Sequence, residues 1–239
     1  MAGLAETGSN PDVDLLYDIN GLAKDAPRWF DRVVEVVGEY GLLVAMVLVV
    51  VCCWWSVRRR GADDAAVSVA ALIWAPLGAA VAVLVNIPIR GFVERPRPFL
   101  DHQGLEVLVS GKTDYSFVSD HATITMAMGV GLFVASRKFG LVGIGLALVE
   151  GFCRVYMGVH YPTDVVGGFA LGTAVVLLLS PLAMAFLTPV TRAVEGSAWG
   201  GVLIRARGAG SGAGAGPGAV VSGGRAGAEA GAGERDLAA

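Results

Sequence analysis

Apolar runs, each near the length needed to cross a bilayer, constrain this chain more than any other feature. The hydrocarbon layer is ~30 Å thick and a helix rises ~1.5 Å per residue, so a span takes about 20 apolar residues. The runs extend from about Tyr40 to Ser56, Ala65 to Ile89, Asp120 to Ser136, Leu141 to Met157 and Val165 to Leu187. Lipid offers backbone groups no partner, so each run is expected as a helix that satisfies its own hydrogen bonds. Pro76 can kink the second run without ending it. Gly129, Gly131, Gly143, Gly145, Gly167, Gly168 and Gly172 in the last three runs suit close helix packing. The expected fold is an all-α polytopic membrane helical bundle.

Composition supports this and excludes other classes. With 54% hydrophobic and 16% charged residues, the chain is neither disordered over most of its length nor a highly charged soluble protein. A net charge of −3 gives no broad basic field, so nucleic acid is not expected as a partner. Cys52, Cys53 and Cys153 show neither zinc spacing nor a disulfide framework and read as core or lipid-facing thiols. Trp54, Trp55 and Trp74 read as interface and packing aromatics.

Three regions are expected. Residues 1–37 form an N-terminal interfacial amphipathic segment, because Leu15, Leu16, Trp29, Phe30, Val33 and Val34 alternate with Asp14, Asp18, Asp31 and Glu35. A secretory signal is not expected, since Asp12, Asp14 and Asp18 interrupt any apolar stretch. Residues 38–192 form the membrane bundle, and 193–239 a Gly/Ala-rich tail too poor in large apolar residues to offset ordering entropy. Arg58 to Arg60, Arg137, Lys138 and Arg192 fall on one membrane face, read as cytoplasmic.

The opposite face carries the chemistry. Helix alternation brings together Arg90-Gly-Phe-Val-Glu-Arg95-Pro-Arg97-Pro98, then Ser119-Asp120-His121, then Arg154 with His160 and Asp164. Guanidinium forks match phosphate oxygens with paired, charge-assisted hydrogen bonds. Ser119 can cap the third span, turning that helix N-terminus toward the same anion. Two imidazoles permit a division of labour. One, unprotonated, can attack phosphorus; the other can protonate the departing oxygen. Asp164, four residues after His160, lies within reach of its ring and could fix the tautomer. Neither metal nor cofactor is required. Taken alone, each cluster also has a plain reading: arginines at helix ends anchor to the interface, which serves Arg95 as well as a ligand role does, and His160 with Asp164 could simply cap a loop. His102 fits no cluster and reads as a loop residue.

The order Arg90-x6-Arg97-Pro98, Ser119-Asp120-His121 and Arg154-x5-His160-x3-Asp164 resembles the three-part signature of the type 2 phosphatidic acid phosphatase (PAP2) superfamily, K-x6-R-P, P-S-G-H and S-R-x5-H-x3-D. Arg90 stands for the family lysine, Val118 for proline, Asp120 for glycine and Cys153 for serine. Ser116-Phe-Val-Ser-Asp-His-Ala122 is similar to the S-F-P-S-D-H-A run of bacitracin-resistance-type undecaprenyl-diphosphatases. The resemblance implies a bundle of the PAP2 / acid phosphatase–haloperoxidase type with five to six spans and a metal-independent phosphatase. It implies His160 as nucleophile, Asp164 as its partner and His121 as acid. Arg90, Arg97, Ser119, Arg154 and the Asp120 amide would then bind phosphate. Glu150, one turn before Arg154, is expected to pair with it, and Asn86 to orient Arg90 in the same way.

The expected function is removal of the terminal phosphate of a polyprenyl diphosphate at the outer leaflet, undecaprenyl diphosphate first. Phosphatidic acid, phosphatidylglycerophosphate and phosphoribosyl-polyprenyl lipids are alternative substrates. A lipid or anion transporter is the alternative of another class, although its charges would be expected near mid-membrane rather than at one end of the spans.

Overall fold

The charged N-terminal segment is helical from its first cap. Asn10 accepts the Asp12 N–H at 3.1 Å and Pro11 opens α1 (Pro11–Asp25). Pro27 starts α2 (Arg28–Val36), which passes through a π-helical turn at Val37–Gly41 into α3 (Leu42–Arg60). The second amphipathic helix and the first apolar run are therefore one continuous rod. In this computed structural model the described residues are 10–60 and 65–204.

The remaining elements are α4 (Ala65–Val93), α5 (Pro98–Asp101), α6 (Asp120–Ala135), α7 (Arg137–Tyr156), α8 (Pro162–Glu195) and α9 (Gly200–Leu203). Pro76 and Pro88 lie inside α4, and Pro181 and Pro189 inside α8, without ending either helix. The centre is α6, which packs against α4, α7 and α8. Its glycines explain how it fits. A Cβ on Gly131 would lie 2.5 Å from the Ala75 Cα, and one on Gly172 would lie 2.6 Å from the Thr123 carbonyl oxygen. Gly129 and Gly143 face one another at 2.9 Å by the same measure, whereas Gly145 meets nothing within 4 Å and is not a packing position.

The chain is a multi-pass membrane protein, and helices of full spanning length account for part of the five to six spans expected. Among the described residues four helical stretches are long and apolar enough to cross, namely Arg28–Arg59, Ala65–Asp101, Arg137–Tyr156 and Pro162–Glu195. The 16 residues of α6 reach only about 24 Å, short of the hydrocarbon layer. Three neighbours pack around α6, so bilayer thickness does not set its length, and the Ser119 N–H at its start meets the Asp164 carbonyl in the first turn of α8. Residues 193–204, expected as the start of the tail, continue α8 and form α9, with Ile204 buried beside Ala65 and Val69. The rest of the expected tail lies outside the described residues.

Overpacking a tight helix contact costs about 1–3 kcal/mol. Gly172→Val should lower the thermal midpoint in detergent, while Gly145→Ala should leave it within a degree or so of wild type.

Candidate active site

The segments that the sequence singles out converge where α4 ends, α6 begins and α7 turns into α8. Gly158 makes that turn with φ of +70°, and a Cβ there would lie 2.8 Å from the Glu106 carbonyl oxygen. Only glycine combines that conformation with that approach. The turn delivers His160 to a cavity of about 110 Å³ lined by Arg90, Arg97, Lys112, Asp114, Asp120, His121, Arg154 and His160.

His160 is almost fully buried, and its two ring nitrogens have different surroundings. Nδ1 is 3.0 Å from the Ser116 carbonyl oxygen, which can only accept, so Nδ1 carries the proton. Nε2 is left with its lone pair, 3.4 Å from Arg97 Nη1. Burial pushes the imidazole pKa below its ordinary value, outweighing the opposite pull of Asp164, and the Arg97 charge adds to the fall. The nearest Asp164 oxygen lies 3.6 Å from Nδ1, so the expected partner acts on the ring mainly through its charge and the carbonyl makes the close contact.

Each arginine is held by acceptors. Arg97 donates to the Asp114 carbonyl at 2.9 Å, to the Val159 carbonyl at 2.9 Å and to Asp114 Oδ1 at 2.7 Å. Arg90 reaches the other Asp114 oxygen at 2.9 Å and forms an ion pair with Asp120. Asp114 thus bridges the two guanidinium groups. Its partial burial opposes ionisation, but the Arg97 hydrogen bond and charge override this and hold its carboxyl below the usual value. Arg154 donates to Glu150 at 2.7 Å, to Glu39 at 2.9 Å and to the Gly38 carbonyl. Glu39 also accepts from Lys112 at 2.8 Å.

Six of the residues named from sequence line the cavity: Arg90, Arg97, Asp120, His121, Arg154 and His160. Two do not. Ser119 is fully buried as the N-cap of α6, accepting the Ala122 N–H at 3.5 Å while its own N–H donates to the Asp164 carbonyl at 3.1 Å. Asp164 sits behind His160, accepting from Ser116 Oγ, from the Tyr161 N–H at 2.9 Å and from Arg95 at 2.8 Å. Glu150 makes the i,i+4 pair with Arg154, whereas Asn86 reaches Arg90 only through shared partners, donating to Asp120 at 2.7 Å and the Val118 carbonyl at 3.0 Å. Nothing in local spacing marks Lys112, Asp114 or Glu39 or decides Arg95, and the sequence motif that contains Ser116 assigns it no role. His102 stands edge-on to the rings of Tyr17 and Tyr161. Among the described residues no three His, Cys, Asp or Glu side chains are grouped to hold a metal ion.

Two imidazoles and four cations around one small polar cavity can bind a tetrahedral oxyanion, present a nitrogen nucleophile to it and exchange a proton with it. A sequence profile of the PAP2 superfamily matches residues 71–187, which include every side chain lining the cavity. The chain belongs to the PAP2 superfamily. Its relatives include the undecaprenyl-diphosphatase BcrC of Bacillus subtilis, 30% identical over 127 residues, or 52% of this chain and 65% of that one. The decaprenylphosphoryl-5-phosphoribose phosphatase of Mycobacterium tuberculosis is 38% identical over 99 residues, 41% of this chain and 53% of that one. The match thus spans less than two thirds of either relative. The crystal structure of a transmembrane PAP2-type phosphatidylglycerolphosphate phosphatase from Bacillus subtilis covers 76% of this chain and 90% of its own, with a TM-score of 0.51 at 22% identity. The bundle is thus of the PAP2 kind, and the two PAP2 motif histidines, His121 and His160, share one cavity.

The lowered pKa of Asp114 makes a linked stability term. A group whose folded pKa is depressed stabilises the fold above its unfolded value, about 3.9, and loses that contribution as pH falls through the folded value. The thermal midpoint of Asp114→Asn should therefore lie below wild type at neutral pH, and the gap should close as the pH is taken below about 4.

Proposed function

We propose that the protein is a metal-independent lipid phosphatase that removes the terminal phosphate of a polyprenyl diphosphate, converting undecaprenyl diphosphate to undecaprenyl phosphate. The observation that carries this is the His160 ring, with its Nδ1 proton held by the Ser116 carbonyl and Nε2 beside Arg97 in a cavity of guanidinium groups. Nε2 attacks the terminal phosphorus as the bond to the bridging oxygen breaks, and His121 gives that oxygen a proton. Arg90, Arg97, Arg154 and Lys112 meet the charge on the equatorial oxygens, with the amides at the start of α6. Water, deprotonated by His121, then attacks the phosphohistidine. The P–N bond breaks, phosphate leaves and His160 is restored.

Similarity to the undecaprenyl-diphosphatase supports this substrate, and the apolar helices give its long chain a place in lipid. The identity to the phosphoribose phosphatase favours a second reading, a phosphoribosyl-polyprenyl lipid. We place the catalytic face outside, because Arg58, Arg59, Arg137, Lys138 and Arg192 lie at the opposite helix ends.

The purified chain in detergent with EDTA should release phosphate from undecaprenyl diphosphate, and His160→Ala should abolish release. Preference for the phosphoribosyl lipid would change the substrate and keep the mechanism. Lipid movement without phosphate release would refute the phosphatase. A nucleophile of lowered pKa must be unprotonated, so kcat/KM should fall on the acid side with a midpoint below about 6.5.

A further inference from the structure

The Asp164 carboxylate has a second arm that the reaction described above does not use. Its Oδ1 accepts from Arg95 at 2.8 Å, and the other Arg95 nitrogen reaches Asp12 Oδ2 at 2.6 Å. Asp12 belongs to α1, far outside the family match at 71–187. The same Asp12 accepts the Thr163 N–H at 2.9 Å and the Thr163 hydroxyl at 2.6 Å. Thr163 is the second residue of α8, whose N-cap, Tyr161, has its own N–H bonded to the Asp164 carboxylate at 2.9 Å while the Thr163 N–H is left for Asp12. Asp12 therefore caps α8 from another helix, placing a negative charge where the helix dipole favours one. Arg95 is fixed further by lying 3.6 Å over the Tyr161 ring.

The helix that carries Asp12 is itself keyed in place. Asn20, fully buried, donates to the carbonyls of Glu106 and Tyr156, both at 2.8 Å, and accepts the Glu106 N–H at 2.8 Å. Tyr17 donates to the Gln103 carbonyl at 2.8 Å, and Leu16 is completely buried. So α1 spans the turn before α8 and the long loop that supplies Ser116.

We propose that Asp12 and Arg95 are positioning residues that set the orientation and effective charge of Asp164, making α1 a part of the catalytic apparatus. The proposal rests on His160 and Asp164 acting as nucleophile and partner. The groups around His160 are Arg97 at the start of α5, His121 from α6, Arg154 from α7 and Asp164 from α8, with Arg90 from α4, Lys112 and Asp114 from the loop before α6, and Asp120 from α6 lining the same cavity. Arg95 and Asp12 stand behind Asp164 and do not line the cavity.

The two charges predict opposite effects on one observable. Arg95→Gln removes the cation beside Asp164, so more of the carboxylate's field falls on His160 and the acid limb of kcat/KM moves to higher pH. Asp12→Asn keeps an oxygen for the Thr163 N–H but leaves the Arg95 charge to Asp164 alone, so less of the carboxylate's field falls on His160 and the acid limb moves to lower pH. Each variant of the full chain should lose about tenfold in kcat toward undecaprenyl diphosphate with KM little changed. Arg95→Lys, which keeps the charge and loses the fork, should recover the wild-type pH limb but only part of kcat. A merely structural role would lower the thermal midpoint and leave the pH limb in place. Wild-type profiles in both charge variants, or shifts of the same sign, overturn the proposal. If Arg95→Gln does not fold, Asp12→Asn and Arg95→Lys decide the matter by the same criterion. Wild-type protein that releases no phosphate, or His160→Ala that still does, overturns the reaction and this proposal with it.

Discussion

Bringing guanidinium charge to the ends of membrane helices is costly unless each charge is met by acceptors. Here every arginine of the site has a carboxylate: Arg90 has Asp114 and Asp120, Arg95 has Asp12 and Asp164, Arg97 has Asp114, and Arg154 has Glu39 and Glu150. These carboxylates come from α1, the π-helical turn, the loop before α6, and α6, α7 and α8. Neutralising the arginines therefore ties most of the elements together at one end of the bundle. Removing one partner of such a buried pair is more damaging than its net contribution suggests, because the other charge is left uncompensated.

The pairing also shapes what the cavity can bind. Four cations and two carboxylates line it, an excess of two positive charges before His121 takes up the proton it gives to the leaving oxygen. That excess matches a phosphate dianion. The arginines are already oriented by their acceptors, so an incoming oxyanion meets donors in fixed positions and loses little to reorganisation. Glu39 adds to this, since it holds both Arg154 at 2.9 Å and Lys112 at 2.8 Å, as Asp114 holds Arg90 and Arg97.

The motif residues were legible because their spacing and chemistry together demand one anion, and Glu150 because i,i+4 contacts are set by helix geometry alone. Glu39, Asp12 and Lys112 were not legible. Their partners lie 73 to 151 residues away in the chain, and nothing local distinguishes an interface carboxylate from one that will meet a buried arginine. Asn86 shows the same limit at short range: the i,i+4 relation to Arg90 was real, but the side chain turned to Asp120 and Val118. The span count was only partly legible, for a different reason. Hydropathy reports what can lie in lipid, and the central α6 lies among helices, so its 16 residues obey packing rather than bilayer thickness.

The division between Ser116 and Asp164 has a chemical logic under the proposed mechanism. A neutral carbonyl at 3.0 Å fixes the Nδ1 proton without raising the basicity of the ring as strongly as a carboxylate in direct contact would. The free imidazole then stays unprotonated at Nε2, ready to attack. When a P–N bond forms, the ring gains positive charge, and the Asp164 carboxylate, 3.6 Å away, faces that charge at the moment it develops. An interaction that strengthens between the ground state and the intermediate accelerates reaction, whereas one already complete in the resting enzyme does not.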